Sequence, residues 1–224
     1  WLIAYDRNQI LDCKDRQIPI PDFINKDLIH FSNDDTQRSI PSLVDGFKPS
    51  QRKIFYGAIL KGLYKDSVKV AQLAGHVSDK VAYHHGEASL MGAIIGMAQD
   101  YVGSNNINLL KPDGQFGSRL QNGKDSASPR YIWTKLEKIA SLIFKEEDNP
   151  ILDYINDDGQ IVEPDYYLPI IPMILVNGAN GIGTGFSTLI PSYHPQELIK
   201  MLQDKINGKK MKKDDAIFNV LRET

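Results

Sequence analysis

From Ser50 onward the apolar residues Ile54, Phe55, Ala58 and Ile59 recur at helical spacing, which predicts a helix with one buried face. A shorter helix is predicted from about Ser67 to Ala74, with Gly75 as its stop. A third begins near His85 and carries Leu90, Met91, Ile94, Ile95 and Met97 inward. The pattern then changes. Asn106 to Leu110 reads as a strand, while Pro112-Asp113-Gly114 and Gln121-Asn122-Gly123 read as turns. After Ser128-Pro129, an N-cap and first-turn pair, the spacing of Ile132, Leu136, Ile139 and Leu142 predicts another helix. Helix, short helix, turn and longer helix, followed by strands and turns, define an α+β unit of the winged-helix kind: a helix-turn-helix with a β wing.

From Ile151 the chain becomes acidic, proline-punctuated and β-rich through Tyr166, Tyr167, Ile170, Ile171 and Ile174 to Val176. It closes with a helix that opens at His194-Pro195 and turns Leu198, Ile199, Leu202 and Ile206 to one side. The lysine-rich run Lys209 to Lys213 reads as exposed surface, and residues 1 to 22, with poor periodicity and prolines at 19 and 21, read as a connecting segment. No internal repeat is visible. A chain of 224 residues that is 42% hydrophobic can bury one large core or two smaller ones. No apolar run is long enough for a membrane helix, and the lone Cys13 excludes an internal disulfide framework and a cysteine-cluster zinc site, which suits a reducing intracellular compartment. A start at Trp1 reads as that of a piece of something longer, so it carries no targeting information.

The net charge of −2 looks wrong for a polyanion partner until it is divided along the chain. Residues 38 to 138 hold 14 lysines and arginines against 8 acids, whereas residues 139 to 174 hold 1 against 8. The positive balance is therefore local, as a phosphate-neutralising groove requires.

Within that basic stretch lies Ser126-Ala127-Ser128-Pro129-Arg130-Tyr131. At a helix start, free backbone N–H groups and the Arg130 guanidinium would hold a phosphodiester beside the Tyr131 phenol. A phenol titrates near ~10, so it attacks at neutral pH only with positive charge or a base beside it. An isolated Arg-Tyr pair is more often a tyrosine packed at a helix end. The run Gly178-Ala179-Asn180-Gly181-Ile182-Gly183-Thr184-Gly185 lacks the lysine and the following helix of a phosphate loop. It leaves Ile182 bare between two glycines, either as a tucked residue in a glycine-rich turn or as a wedge between base pairs, its neighbours letting the backbone approach the duplex. His84, His85 and Glu87 lack a third histidine or cysteine at ligand spacing, so no metal is assigned to them.

Seven segments stand in a fixed order: Arg38 to Gly46, Lys48 to Lys53, Val70 to Gly75, Tyr83-His84-His85-Gly86-Glu87, Gly103 to Asn106, Gly114-Gln115-Phe116-Gly117 and Gly123 to Tyr131. Together they resemble the DNA breakage-reunion region of type IIA DNA topoisomerases from about Phe23 to about Leu202. The paired histidines, His-His-Gly-Glu rather than His-Pro-His-Gly, favour the single-polypeptide enzymes of eukaryotes and large DNA viruses over the bacterial gyrase type. The resemblance implies that Tyr131 is the nucleophile that forms a 5′-phosphotyrosine, with Arg130, His85 and Arg38 stabilising the transition state. It places Lys48 and Tyr83 on the DNA backbone and makes Ile182 the intercalating wedge, although Asn180 and Phe186 stand where glutamate and tryptophan are usual. Arg52 and Lys53 join the DNA-binding set on charge alone.

The resemblance further implies three parts. Residues 1–37 connect from a preceding metal-binding (TOPRIM) region, residues 38–150 form the winged-helix cleavage domain, and residues 151–224 begin a tower domain. Double-stranded DNA is the expected partner, a homodimer the expected assembly, and Mg²⁺ and ATP the expected cofactors of the full enzyme. No acidic metal cluster or ATP motif occurs in this chain. The expected location is intracellular: the nucleus of a eukaryotic cell, or the host cytoplasm for a large virus. A non-catalytic winged-helix DNA-binding module is the alternative, and it leaves Arg130-Tyr131 without a purpose. A tyrosine recombinase or type IB enzyme needs a different motif order.

Overall fold

The computed structural model describes residues 1–14 and 17–209. A continuous helical run comprises Ile20–Phe23 (α1), a π-helical turn Ile24–Leu28 and Ile29–Ser39 (α2). Much of the stretch expected to be a connector, residues 1 to 37, is therefore helix. Only Ile29 and Ser32 of α2 are buried, so little apolar periodicity marks the helix in the sequence.

Three helices form the centre: Pro49–Leu60 (α3), Val70–Lys80 (α4) and Glu87–Ala98 (α5). Pro49 occupies the first turn of α3, where its missing N–H costs nothing, and the Lys48 N–H donates to Gln51 Oε1 at 2.9 Å. Ile54, Phe55 and Ala58 face inward as the spacing predicts. Helices α3 and α4 cross so closely that a Cβ on Gly57 would lie 2.7 Å from Val77 Cγ2.

Gly75 does not stop α4. Open space surrounds its Cα, and the helix continues so that Val77 extends the buried stripe of Val70, Leu73 and Ala74, which outweighs a glycine cost of about 1 kcal/mol.

An antiparallel sheet lies beside these helices, built from Val68–Lys69 (β1), Leu110–Asp113 (β2) and Trp133–Leu136 (β3) in the order β1-β3-β2. The strand expected at Asn106 to Leu110 starts only at Leu110, and Pro112 and Asp113 belong to it rather than to a turn. The helix expected after Ser128-Pro129 is absent. Ile132, Thr134 and Leu136 alternate inward while Trp133 faces outward, so the period is two, and Ile139 and Leu142 belong to a separate short helix, Lys138–Ile143 (α6). Ala140 and Ile143 are the residues α6 buries.

Beyond residue 150 come a hairpin of Tyr154–Asp157 (β4) and Gln160–Pro164 (β5), a helical turn Met173–Val176 (α7) where strand was expected, a second hairpin of Ala179–Ile182 (β6) and Ser187–Ile190 (β7), and Pro195–Ile206 (α8). Asp158 and Gly159 both have positive φ, as a tight hairpin turn requires. Of the run Lys209 to Lys213, all but Lys209 lies outside the described residues.

One buried cluster runs through both halves. Phe47, Phe55, Phe144 and Tyr167 pack with centroid separations of 4.8 to 6.4 Å, Phe47 stacked on Phe144 and Tyr167 edge-on to the three phenylalanines. Beside them Asp45, fully buried, accepts from Arg52 Nε at 2.8 Å and Arg52 Nη2 at 3.0 Å, from the Phe47 N–H at 2.9 Å and from the Tyr167 N–H at 2.9 Å. Asp45→Ala would strand a buried guanidinium, so it should destabilise the chain by about 3–5 kcal/mol in urea unfolding. A loss under about 1 kcal/mol would show that Arg52 finds water instead.

Candidate functional site

A cavity of about 430 Å³ opens where the end of α2, the start of α3 and the α4–α5 connection meet, and Arg38, Lys48, Lys53, Tyr83, His84 and His85 line it. Five residues selected from the sequence thus converge although they span positions 38 to 85. Lys48 caps α3, and Tyr83 is buried against the edge of the His85 ring, centroids 5.5 Å apart. The exposed His84 donates from Nε2 to Asp157 Oδ2 at 3.0 Å, tying the cavity rim to β4. Arg38, Lys48 and His85 present donors to this space, and such a set suits a phosphate.

Three of the expected phosphate contacts already have acid partners: Arg38 pairs with Asp35 at 3.2 Å yet stays half-exposed on the cavity, whereas Arg52 and Lys53 are committed elsewhere. Arg52 is buried and bidentate to Asp45, and it also donates to the Phe47 carbonyl at 3.2 Å. Its charge belongs to the core, not to the cavity. Lys53 lines the cavity, yet its Nζ donates to Glu163 Oε2 at 2.9 Å and to the Val81 carbonyl at 2.8 Å. Burial raises the Glu163 carboxyl above its ordinary range, and Lys53 works against that shift. Charge counting along a sequence cannot separate a surface lysine from one already paired.

Arg130 and Tyr131 lie on an exposed turn instead of a helix start. The Tyr131 N–H closes the turn on Ser128 O at 2.9 Å, and Tyr131 is 76% exposed. The first amides of α4 hold the turn from behind: Val70 N–H donates to Ile132 O at 3.0 Å and Ala71 N–H to Pro129 O at 3.1 Å. A helix N-terminus therefore stands behind the tyrosine, but it is that of α4. Lys69, which no motif or period in the sequence marks, pairs with Trp133 across the sheet and holds Nζ 5.6 Å from its ring centroid. Its neighbourhood depends on strand pairing, for which the sequence holds no signal.

Because the Tyr131 turn sits at the N-terminal end of α4 and Tyr83 to His85 follow its C-terminal end, the 11-residue helix separates them by roughly 16 Å along its axis. Neither Arg130 nor Tyr131 lines the cavity.

Ile182 ends β6 and is 77% exposed, at a hairpin tip closed by the Gly183 N–H donating to Phe186 O at 2.8 Å. Its flanking glycines serve a different approach from the one expected. A Cβ on Gly181 would lie 2.3 Å from Ser39 O, and one on Gly183 would lie 3.0 Å from Thr36 Cα. The glycines seat the hairpin on α2, which leaves Ile182 and Leu189 exposed on its outer face.

The family model describing the A subunits of DNA gyrase and topoisomerase IV matches residues 38–221. The chain is 56% identical over 211 residues to DNA topoisomerase 2 of Arabidopsis thaliana, covering 94% of this chain and 14% of that protein. It is 54% identical over 215 residues to DNA topoisomerase 2 of Acanthamoeba polyphaga mimivirus, covering 95% and 17%. Among solved structures, the topoisomerase II DNA-binding, cleavage and re-ligation domain of Plasmodium falciparum superposes with a TM-score of 0.84 at 50% identity, over 95% of this chain and 29% of that one. The chain belongs to the type IIA DNA topoisomerases and is a segment of their breakage-reunion region.

Gly181→Ala must push the hairpin off α2 and should cost about 1–3 kcal/mol, whereas Gly92→Ala, in a helix with open space around it, should stabilise by about 0.4–1 kcal/mol. Equal effects in thermal unfolding would mean that the hairpin does not press on α2.

Proposed function

We propose that this chain is the DNA-gate segment of an ATP-dependent type II topoisomerase, in which Tyr131 makes a transient double-strand break. The reading rests above all on the exposed Arg130-Tyr131 turn braced by the amides of α4. In line with a backbone phosphate, Tyr131 Oη gives up its proton to solvent and bonds to phosphorus as the bond to O3′ breaks. The 3′ oxygen leaves and takes up a proton, and the 5′ phosphate stays on the tyrosine. Resealing is the reverse, so bond energy is kept in the phosphotyrosine. Arg130, His85 and Arg38 offset the charge of the pentacovalent state, a role in which loss of one donor costs ~10²–10³ in rate. Lys48 and Tyr83 hold the backbone and Ile182 unstacks a base step.

A homodimer gives this geometry its purpose. Each chain cuts one strand, and a second copy can bring its own Arg38 and His85 cavity to a phosphate that lies beyond the reach of the first copy's. Among the described residues no group of three His, Cys, Asp or Glu side chains is placed to hold a metal. In this reading other parts of the full enzyme hold the Mg²⁺ and ATP, and the residues of this chain act without contacting them. We assign residues 38–150 to a winged-helix unit, with α4 and α5 as the helix pair and β2–β3 as the wing, and residues from 151 to the tower. The location is intracellular, in the nucleus or in the host cytoplasm of a large virus.

The alternative, a winged-helix module that reads a DNA sequence, needs base-reading side chains on α5. The exposed positions of α5 are Glu87, Ala88, Ser89, Gly92 and Gly96, which offer no arginine, lysine, asparagine or glutamine for bidentate readout and leave only Glu87 and Ser89, in its first turn, to contact a base edge.

In the full-length enzyme Tyr131→Phe should leave duplex binding within about twofold and abolish covalent 5′ adducts, because only the attacking oxygen is lost. Adducts from the mutant would assign the nucleophile elsewhere. Lys48→Ala should weaken binding and flatten the log–log salt slope by about one phosphate, whereas His85→Ala should lower cleavage more than binding. The reverse pattern would exchange their roles.

A further inference from the structure

Asp35 lies in the last turns of α2, between two features that the proposed mechanism treats as separate. Its Oδ2 accepts from Thr184 Oγ1 of the β6–β7 turn at 2.9 Å. Its Oδ1 accepts from Arg38 Nε at 3.3 Å and Nη2 at 3.2 Å, and from Ser39 Oγ at 3.4 Å. Thr36, next in the helix, donates back to Thr184 O at 3.3 Å. Two carboxylate oxygens thus hold two elements, and the contact spans 149 positions of sequence. The Thr184 hydroxyl first and Arg38 after it draw the Asp35 carboxyl below its ordinary range against the opposing effect of desolvation, which keeps the charge that both partners need.

From this arrangement we propose that Asp35 is a positioning residue that couples the Ile182 wedge to Arg38, so that wedge insertion sets the guanidinium at the scissile phosphate. Thr184 is two residues from Ile182, and Arg38 is one helical turn from Asp35 on the same side of α2. Displacement of the hairpin tip as Ile182 enters a base step pulls on Thr184 and, through Asp35, on the turn that carries Arg38. The close seat of Gly183 on Thr36 leaves no slack between hairpin and helix. Nothing else among the described residues makes a side-chain hydrogen bond between hairpin and α2, apart from the Thr36 return contact. The inference rests on the proposed function, since it assigns a role in that reaction.

The test uses the full-length enzyme and a short duplex with a dye at each end, and reads bending by fluorescence transfer and cleavage by Tyr131-linked 5′ adducts. A second duplex carries a mismatch at the wedge step, so that it bends without help. Ile182→Ala should lose both bending and cleavage on the paired duplex and regain cleavage on the mismatched one. Thr184→Val and Asp35→Asn should keep bending within about twofold and lose cleavage by roughly 10- to 100-fold on both duplexes, as expected when a catalytic group is misplaced. Thr184→Ser, which restores the hydroxyl, should restore cleavage. The proposal is overturned if Thr184→Val cleaves like wild type. It is equally overturned if the mismatched duplex rescues Thr184→Val as it rescues Ile182→Ala, since Thr184 would then only hold the hairpin up. Absence of Tyr131-dependent adducts from the wild type would instead defeat the function on which the coupling rests.

Discussion

The buried carboxylate of Asp45 ties the two halves of the chain together and sets the frame for everything around it. It takes four donors at once: two from Arg52, one from the Phe47 amide and one from the Tyr167 amide. The first three fix the loop that leads into α3 and therefore the place of Lys48. The fourth crosses from the later part of the chain and brings Tyr167 into the aromatic cluster with Phe47, Phe55 and Phe144. Replacing both ions by apolar groups would leave the buried Phe47 and Tyr167 amides without an acceptor, so the carboxylate is needed for the backbone as well as for Arg52. Lys53 and Glu163 repeat the device nearby, with Lys53 also closing on the end of α4 through Val81 O.

Around that fixed centre α4 acts as a spacer. Its first amides hold the turn of Arg130 and Tyr131, and its far end delivers Tyr83, His84 and His85 to the cavity of Arg38 and Lys48. The exposed Tyr131 turn and the Arg38, Lys48 and His85 cavity thus stand at opposite ends of one helix, the arrangement for which the proposed second copy supplies a reason. The same economy governs the hairpin at Ile182. Glycines that would be costly in a strand are required because the backbone of β6 lies on the backbone of α2, and this contact turns Ile182 outward.

Local electrostatics follow from this packing rather than from composition. A chain of net charge −2 carries its positive excess in residues 38 to 138, and within that stretch the core withdraws Arg52 and pairs Lys53 with an acid from the other half. The set proposed for a phosphate is then Lys48, His85, Arg130 and the half-exposed Arg38, itself paired with Asp35, a smaller set than a count of basic residues gives.

The family, the candidate nucleophile Tyr131, the three central helices and part of the turn pattern are legible in the amino-acid sequence, because each is written in short-range signals: a motif order, a helical period, a turn pair. Ile182 stands out there too, as an apolar residue with no neighbour to cover it. The conformation at Tyr131 is a matter of tertiary structure. There Ile132 leads into β3, whose partners β1 and β2 lie 20 or more residues away, and a helical period made of two separate elements misleads the local reading. Packing likewise carries α4 through Gly75, since the burial of Val77 against α3 is invisible in a window of sequence. The folded chain also sorts the basic residues into core and cavity and joins Asp35 to Thr184, because hydrogen bonds between residues far apart in the chain leave no periodicity to read.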